Sequence, residues 1–403
     1  MKRSNRWLYL VVGTLCMLFA GIIYAWSILK APLEGAFGWT NSQLALNYTL
    51  TMSFFCIGGV VGGALTKRTS PRVTLLLSAV LSCAGFVLSS RLNGAIGMLY
   101  LAYGVMCGLG IGMAYNVVIA TTGAWFPDRK GMCSGALMMG FGASTLLLGN
   151  LAGAMIESAS IGWRTTYLAL GILIGVVLLI TAILIRQPTP EESKALPAPK
   201  QAAGGKEDFE SRDYTLGEML RRPTFWRFFL FTIAIAAIGN SVISFARDLA
   251  ISVGTAQTLA TTLVGVLSVC NGLGRIVGGI IFDGMGRKRT MTIASVLALA
   301  APGVLLVSIL TRSVPLCVAG LCLTGLAYGF APTISSAFVS TFYGTKYFAM
   351  NFSVANMMLI PASFIATLSN SLVASTGGYV APSVLLLALA VIGLALNFSI
   401  RRP

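Results

Sequence analysis

Residues 269–283 read V-C-N-G-L-G-R-I-V-G-G-I-I-F-D, an apolar run that holds a single cation, Arg275, before it closes on Asp283. With residues 258–268 it reaches the ~20 residues that cross a bilayer as a helix. The run is uniformly apolar and lacks strand-like alternation, so it is predicted to be a helix and not a barrel strand. An arginine at that depth costs about 2.5–3.5 kcal/mol on insertion scales and therefore faces a cavity or a partner. Helical side chains lean toward their own N-terminus. If this helix runs from outside to inside, Arg275 leans toward the midplane, and snorkelling to the nearer surface works against that lean.

The rest of the chain repeats this character. It is 56% hydrophobic and 10% charged over 403 residues, with a mean hydropathy of +0.84, which is too apolar for a soluble domain. Breaks rich in charge and turn residues divide it into twelve apolar stretches: 8–29, 43–66, 73–90, 97–123, 132–156, 164–185, 225–246, 258–282, 290–310, 314–337, 350–372 and 380–400. Between the sixth and seventh lie Gln187-Pro188-Thr189-Pro190, Pro197-Ala198-Pro199, Gly204-Gly205 and most of the acidic residues. Such a stretch cannot bury a core and reads as a linker. The predicted architecture is an all-α membrane protein with twelve transmembrane helices in two pseudo-symmetric six-helix bundles, 1–186 and 225–403, joined by a cytoplasmic linker, 187–224.

The basic residues set the orientation. Lys and Arg concentrate at the N-terminus, at 67–72, at 129–130, in the linker, at 287–289, at Lys346 and at the C-terminus. On the other side stand only Lys30, Arg91, Arg164, Arg247 and Arg312. The positive-inside rule then places both ends in the cytoplasm, and a bacterial inner membrane is the expected location. The net charge of +16 follows from topology, so nucleic acid is not an expected partner. Lys2, Arg3 and Arg6 precede a first stretch of full span length, so an uncleaved helix is expected there and not a signal peptide.

The same inventory excludes other chemistries. There is no His, and the eight Cys are scattered without a C-x-x-C pair, so neither metal site nor disulfide is expected. Glu34, Asp128, Glu157, the cluster from Glu191 to Glu218, Asp248 and Asp283 are all expected in loops or at helix ends. The usual acid–base repertoire of an enzyme is then missing from the interior, and the glycine-rich G-x-G-x-G at 108–112 follows no strand, so it is not a nucleotide fingerprint. No cofactor is implied. With no acidic side chain expected at the depth of Arg275, the anticipated partner is an anionic substrate. A guanidinium offers a planar fork that matches a carboxylate in two parallel bonds.

The two halves echo each other. Phe126 and Lys130 in W-F-P-D-R-K-G correspond to Phe342 and Lys346 in T-F-Y-G-T-K-Y, and K-R-T-S-P-R at 67–72 to D-G-M-G-R-K-R at 283–289. Pseudo-repeats of helical halves, with the substrate site between them, are a recurrent plan in secondary transporters.

From Gly279 to Lys288 the chain reads G-x-x-x-D-x-x-G-R-K, which resembles the loop motif of the major facilitator superfamily. Together with Trp125–Gly131, the Y-x-W of Tyr24 and Trp26, and the N-G-x-x-R of Asn271 to Arg275, it resembles the oxalate:formate antiporter family, related to the monocarboxylate transporters. The resemblance implies alternating access and a substrate carboxylate held by Arg275. It also implies a second cation in the eleventh helix of the oxalate transporter, where this chain has Leu359. One positive charge suits a monoanion such as formate, lactate or pyruvate better than oxalate. Proton-coupled monocarboxylate transporters carry aspartate where Asn271 stands, which argues against the same proton coupling here.

Asn271 and Ser268 lie four and seven residues before Arg275 and share its helical face. Tyr24, Trp26, Asn116 and Tyr328 are candidate walls of the site, and Asn356 with Ser353 forms a polar stripe in the eleventh helix. Asp283, Arg287 and Lys288, with Asp128 and Arg129 in the first half, are candidate gating residues. Lys67 stands where the loop motif expects aspartate in the first half. The expected partners are a small carboxylate, a counter-anion or a proton, and the lipid bilayer, with the protein as a monomer. The rival readings are a drug or metabolite exporter and a proton-coupled monocarboxylate symporter. Cationic drugs would be repelled by Arg275.

Overall fold

The computed structural model describes residues 6–197 and 212–400. Lys2, Arg3, Arg401, Arg402 and the Pro199 and Gly204-Gly205 portion of the linker lie outside them. Among the described residues there is no strand. Eleven helical stretches are long and apolar enough to cross a membrane. One of them belongs to a run, Gln257–Thr311, of 55 residues, roughly 80 Å at 1.5 Å per residue, far more than the ~30 Å hydrocarbon core. Gly286 breaks it, with φ 75° and ψ 176°, a conformation that glycine adopts without a Cβ clash. Counted as two, the run brings the total to the twelve expected.

The segments are α1 Arg6–Phe37, which tightens into a 3₁₀ turn at Gly21–Ala25, α2 Asn41–Arg68, α3 Pro71–Ser90, α4 Ile96–Gly123, α5 Lys130–Glu157 and α6 Gly162–Leu184. In the second half come α7 Pro223–Val253, α8 (257–285), α9 (287–311), α10 Val314–Phe342, α11 Phe348–Thr376 and α12 Val380–Ser399. Local signals set the starts. Thr40 and Gln43 form a capping box before α2, and Ser70 caps α3, which opens on Pro71. The outward faces are apolar: Ile183, Leu310, Phe398 and Phe364 are all more than half exposed, as a lipid-facing surface requires.

Four elements differ from the sequence expectation. α1 continues to Phe37, so Lys30 and Glu34 share a helix, 3.8 Å apart. α7 continues past the predicted end at residue 246 to Val253, which places Arg247 and Asp248 in its last two turns, at the helix end. α11 is interrupted at Met357–Met358, between Phe348–Asn356 and Leu359–Thr376. Pro361, four residues after Met357, cannot donate to that carbonyl, and its ring would crowd it, so the helix restarts with the proline in its first turn. The described linker also contains two short helices, Pro190–Ala195 and Leu216–Leu220, each opened by a Thr/Glu capping box. The second buries Met219 completely.

Packing sorts the chain into two compact units. The first comprises Met1–Asp128, Ala136–Ala198 and Phe352–Met357; the second comprises Arg129–Gly135, Pro199–Asn351 and Met358–Pro403. Helices α5 and α11 therefore each change unit along their length.

Candidate functional site

In the second unit, Arg275 lies on α8 with only 3% of its surface exposed, and Asn271, one turn earlier, is 8% exposed. Arg275 Nε donates to Asn271 Oδ1 at 3.3 Å, so the four-residue spacing read from the sequence does place the amide beside the guanidinium. The Arg275 backbone is also fixed. Thr333 Oγ1 of α10 donates to the Arg275 carbonyl at 3.1 Å. A Cβ on Gly329 of α10 would overlap the Asn271 carbonyl oxygen and lie 2.8 Å from Arg275 N, and one on Gly325 would lie 3.1 Å from Asn271 N. On another side, a Cβ on Gly135 of α5 would overlap the Arg275 carbonyl oxygen. The pairs Gly274/Gly278, Gly325/Gly329 and Gly131/Gly135 are G-x-x-x-G spacings, which allow backbones to approach closely in a membrane. Sequence reasoning marks the abundance of glycine but misses Thr333 and these pairings, although the spacings themselves are visible in the chain.

The other expected wall residues divide between the units. Tyr328 is 6% exposed and packs with Ala236, Ala237 and Ala362; its ring occupies the space a side chain at Gly239 would need. Leu359, 9% exposed, opens the second part of α11. Ser268 gives its hydroxyl to the Val264 carbonyl. In the first unit, Asn116 Nδ2 donates to Ser353 Oγ at 2.6 Å, and Ser353 Oγ donates to the Gly59 carbonyl at 2.8 Å. Cys56 Sγ contacts the Asn356 carbonyl at 3.6 Å. These residues border a cavity of about 10 Å³ together with Phe55 and Tyr115, close to the space one water needs. Tyr24 is half-buried, edge-on to Phe141 at 5.1 Å. Trp26 donates its indole N–H to the Leu44 carbonyl at 3.0 Å and packs on Tyr103, which commits it to helix packing.

Of the expected gating residues, Asp283 accepts from the backbone N–H groups of Gly131 and Met132 at 2.9 and 2.8 Å. A carboxylate there satisfies free donors at the start of α5 and complements the helix dipole. Arg287 lies over the Phe342 ring at 5.4 Å, and Lys288 and Arg129 are exposed. Asp128 is 8% exposed and takes a two-bond contact from Arg6, at 2.5 and 3.1 Å. Trp125 stacks on Tyr9 and donates to the Arg186 carbonyl at 2.7 Å.

A twelve-segment helical chain with a buried arginine in α8 and a motif loop capping α5 can be compared with known proteins. A sequence profile described as Major Facilitator Superfamily matches residues 10–367. The chain belongs to that superfamily. As a member it is a multi-pass membrane transporter. It is 29% identical over 356 residues to an uncharacterised MFS-type transporter, YhjX, of Escherichia coli K12, covering 87% of this chain and 84% of that protein. It is 26% identical over 291 residues to the oxalate:formate antiporter of Oxalobacter formigenes, covering 72% and 66%, and 24% identical over 396 residues to monocarboxylate transporter 12 of Mus musculus, covering 93% and 79%. Among solved structures, the proton:xylose symporter XylE superposes with a TM-score of 0.81 at 15% identity, covering all of this chain and 97% of that one. FucP in its outward conformation gives 0.69 at 13%, covering 98% and 99%. At such identities these two likenesses concern the fold alone.

Proposed function

We propose that the protein transports small organic anions, carboxylates such as formate, lactate, pyruvate or oxalate, by alternating access with exchange, and that Arg275 binds the carboxylate. The observation that carries this reading is the burial of the Arg275 guanidinium in a membrane helix, with its backbone held by Thr333, Gly329 and Gly135. A group so costly to bury, and so rigidly placed, suits pre-organised recognition of an anion. The similarity to an oxalate:formate antiporter and to a monocarboxylate transporter supports the same substrate class. Asn271 orients the guanidinium, while Tyr328 and Leu359 contribute walls. Access to the site alternates between the two sides of the membrane, with Asp283 and its neighbours closing the cytoplasmic side. Binding of the anion lowers the cost of occluding the arginine, which favours exchange over uniport. The protein works as a monomer in a bacterial inner membrane with both termini in the cytoplasm.

Reconstitution tests this reading. Liposomes preloaded with formate, lactate or oxalate are compared for the native protein, Arg275→Lys and Arg275→Gln. Each hydrogen bond to a charged group is worth about 1.5–3 kcal/mol, so Arg275→Lys, which keeps the charge and loses the fork, is expected to slow exchange roughly ten- to hundred-fold. Uptake unchanged in both variants would remove Arg275 from the site.

A further inference from the structure

The two helices that change unit along their length both start beneath a carboxylate supplied from another segment. For α5 it is Asp283, the motif aspartate at the end of α8, bound to the N–H groups of Gly131 and Met132. For α11 it is Asp213, from the linker. Asp213 Oδ1 accepts from Thr345 N and Lys346 N at 3.0 and 3.1 Å, just ahead of the helix. Lys130 and Lys346 are the corresponding positions of the two halves, so the two carboxylates sit near corresponding helix starts, with the N–H groups bound by Asp213 two residues earlier in that correspondence than those bound by Asp283. The first half has no motif aspartate to offer, because that position is Lys67.

The docking of the linker is specific. Tyr214 N donates to the Tyr343 carbonyl at 3.0 Å, Asn351 Nδ2 donates to the Tyr214 carbonyl at 2.9 Å, and the Tyr214 and Tyr343 rings meet edge to face. Gly344, with φ 79°, has no room for a side chain: a Cβ would collide with the Asp213 carboxylate and lie 2.9 Å from its Cα. The capping box of Thr215 and Glu218 then starts the short helix that buries Met219. Beside the ring contact and Met219, the Asp213 bonds that grip the loop are exposed and replaceable by water, which suits a contact that forms and breaks. Lys130, at the start of α5, feels the charge of both Asp283 and Asp213.

We infer that the linker segment from Asp213 to Leu220 is a releasable latch on the start of α11, taking the place of the aspartate absent at Lys67 and opening in concert with Asp283. It would hold the chain in the conformation seen here and detach as α11 moves. In this design the linker takes part in the transport cycle and does more than tether two halves.

Hydrogen–deuterium exchange on the full-length protein in nanodiscs, with no substrate added, tests the inference. Asp213→Ala is expected to speed exchange at Tyr214, Thr345 and Lys346 by about ten-fold or more, and Asp213→Glu to retain most of the protection. The decisive variant is Asp283→Asn, on a different element. A shared latch predicts several-fold faster exchange at 213–220 and 345–346 in that variant, whereas a fixed local cap predicts the native rate there, and that result would overturn the inference. Global unfolding is separated by peptides from the centre of α6, whose protection stays native in a folded variant. If Asp283→Asn fails that check, Asp283→Glu is measured instead, and native exchange at 213–220 together with faster cap exchange at Gly131 would equally refute a shared opening.

Discussion

Gly329 of α10 meets the backbone of Asn271 on α8 with no space for a methyl group: a Cβ there would overlap the Asn271 carbonyl oxygen and approach Arg275 N to 2.8 Å. The position of the arginine is thus set by a neighbouring helix's lack of a side chain. In a helix interior Gly→Ala alone gains up to about 1 kcal/mol, but overpacking costs about 1–3 kcal/mol. Here both overlapping atoms are backbone and cannot rotate away, so the cost wins. Gly329→Ala is expected to lower the melting temperature in detergent and to slow carboxylate exchange, with the loss of exchange exceeding that of Gly303→Ala, whose Cβ would meet its nearest neighbour, Leu387, at 3.9 Å. Equal melting temperatures for the two variants would show that α8 and α10 part easily.

Asn271 accepts from Arg275 Nε as a neutral amide. Asn271→Asp would place a carboxylate at the same spot, giving the guanidinium an internal anion and the site a titratable group. Above the pKa of the introduced carboxyl, its charged form competes with the substrate; below that pKa, the arginine is released. The neighbouring guanidinium favours the charged form of that carboxyl, so exchange by this variant is expected to stay well below the native rate from pH 8 to pH 5. Measuring formate exchange in both proteins over that range checks this, and native rates in the variant would mean that position 271 does not govern the substrate's access to Arg275.

What is legible in the sequence, and what is not, follows from the range of the interactions. Apolar length and basic loops expose the twelve segments, because a bilayer imposes both on any chain that crosses it. The 271/275 contact is legible because helical spacing is local. Gly286 stands out in the sequence only as part of a motif, and its positive φ is what separates α8 from α9. The Asn116–Ser353 bond and the Thr333 contact join residues far apart in the chain, and nothing in one sequence pairs them. The linker is only half legible: low apolarity points to a tether, yet the T-x-x-E spacings at Thr189 and Thr215 mark two helix starts. The break in α11 falls before Pro361, since a proline disturbs the preceding turn.

The first linker helix offers a pH test. Arg186 holds Glu192 by two bonds of 2.7 Å and Thr189 N donates to it at 2.9 Å, which together lower the Glu192 carboxyl to about 2. A carboxyl depressed on folding stabilises the structure above its unfolded value, near 4.5, and loses that contribution as pH falls toward 2. The helix Pro190–Ala195 is thus expected to keep its amide protection at pH 5 and to lose it progressively below pH 4. Because the pair is exposed, added salt should weaken the effect. Hydrogen exchange of this segment, corrected for intrinsic pH dependence and compared with Glu192→Gln, reads the outcome. A variant with the same pH response as the native protein would exclude the pair as its cause.

Leu359 opens the second part of α11 at 9% exposure, at the position where the family resemblance implies a second cation. With Arg275 as the single cation of the proposed site, a monoanion is neutralised on binding, and a dianion carries its second charge into a low-dielectric interior at a cost. A lysine at 359 would offset that second charge if the residue faces the site. Leu359→Lys is therefore expected to shift the ratio of oxalate to formate exchange by at least ten-fold toward oxalate, equivalent to about 1.4 kcal/mol. The same lysine would bring two cations together in the empty protein, so formate exchange should fall through self-repulsion. Leu359→Met keeps volume and apolarity and is expected to leave the ratio as it is. Competition assays in the same liposomes, with both anions present, separate these outcomes: a lysine variant that loses both activities in proportion has only been disrupted, whereas a change in ratio requires position 359 to sense the charge of the cargo.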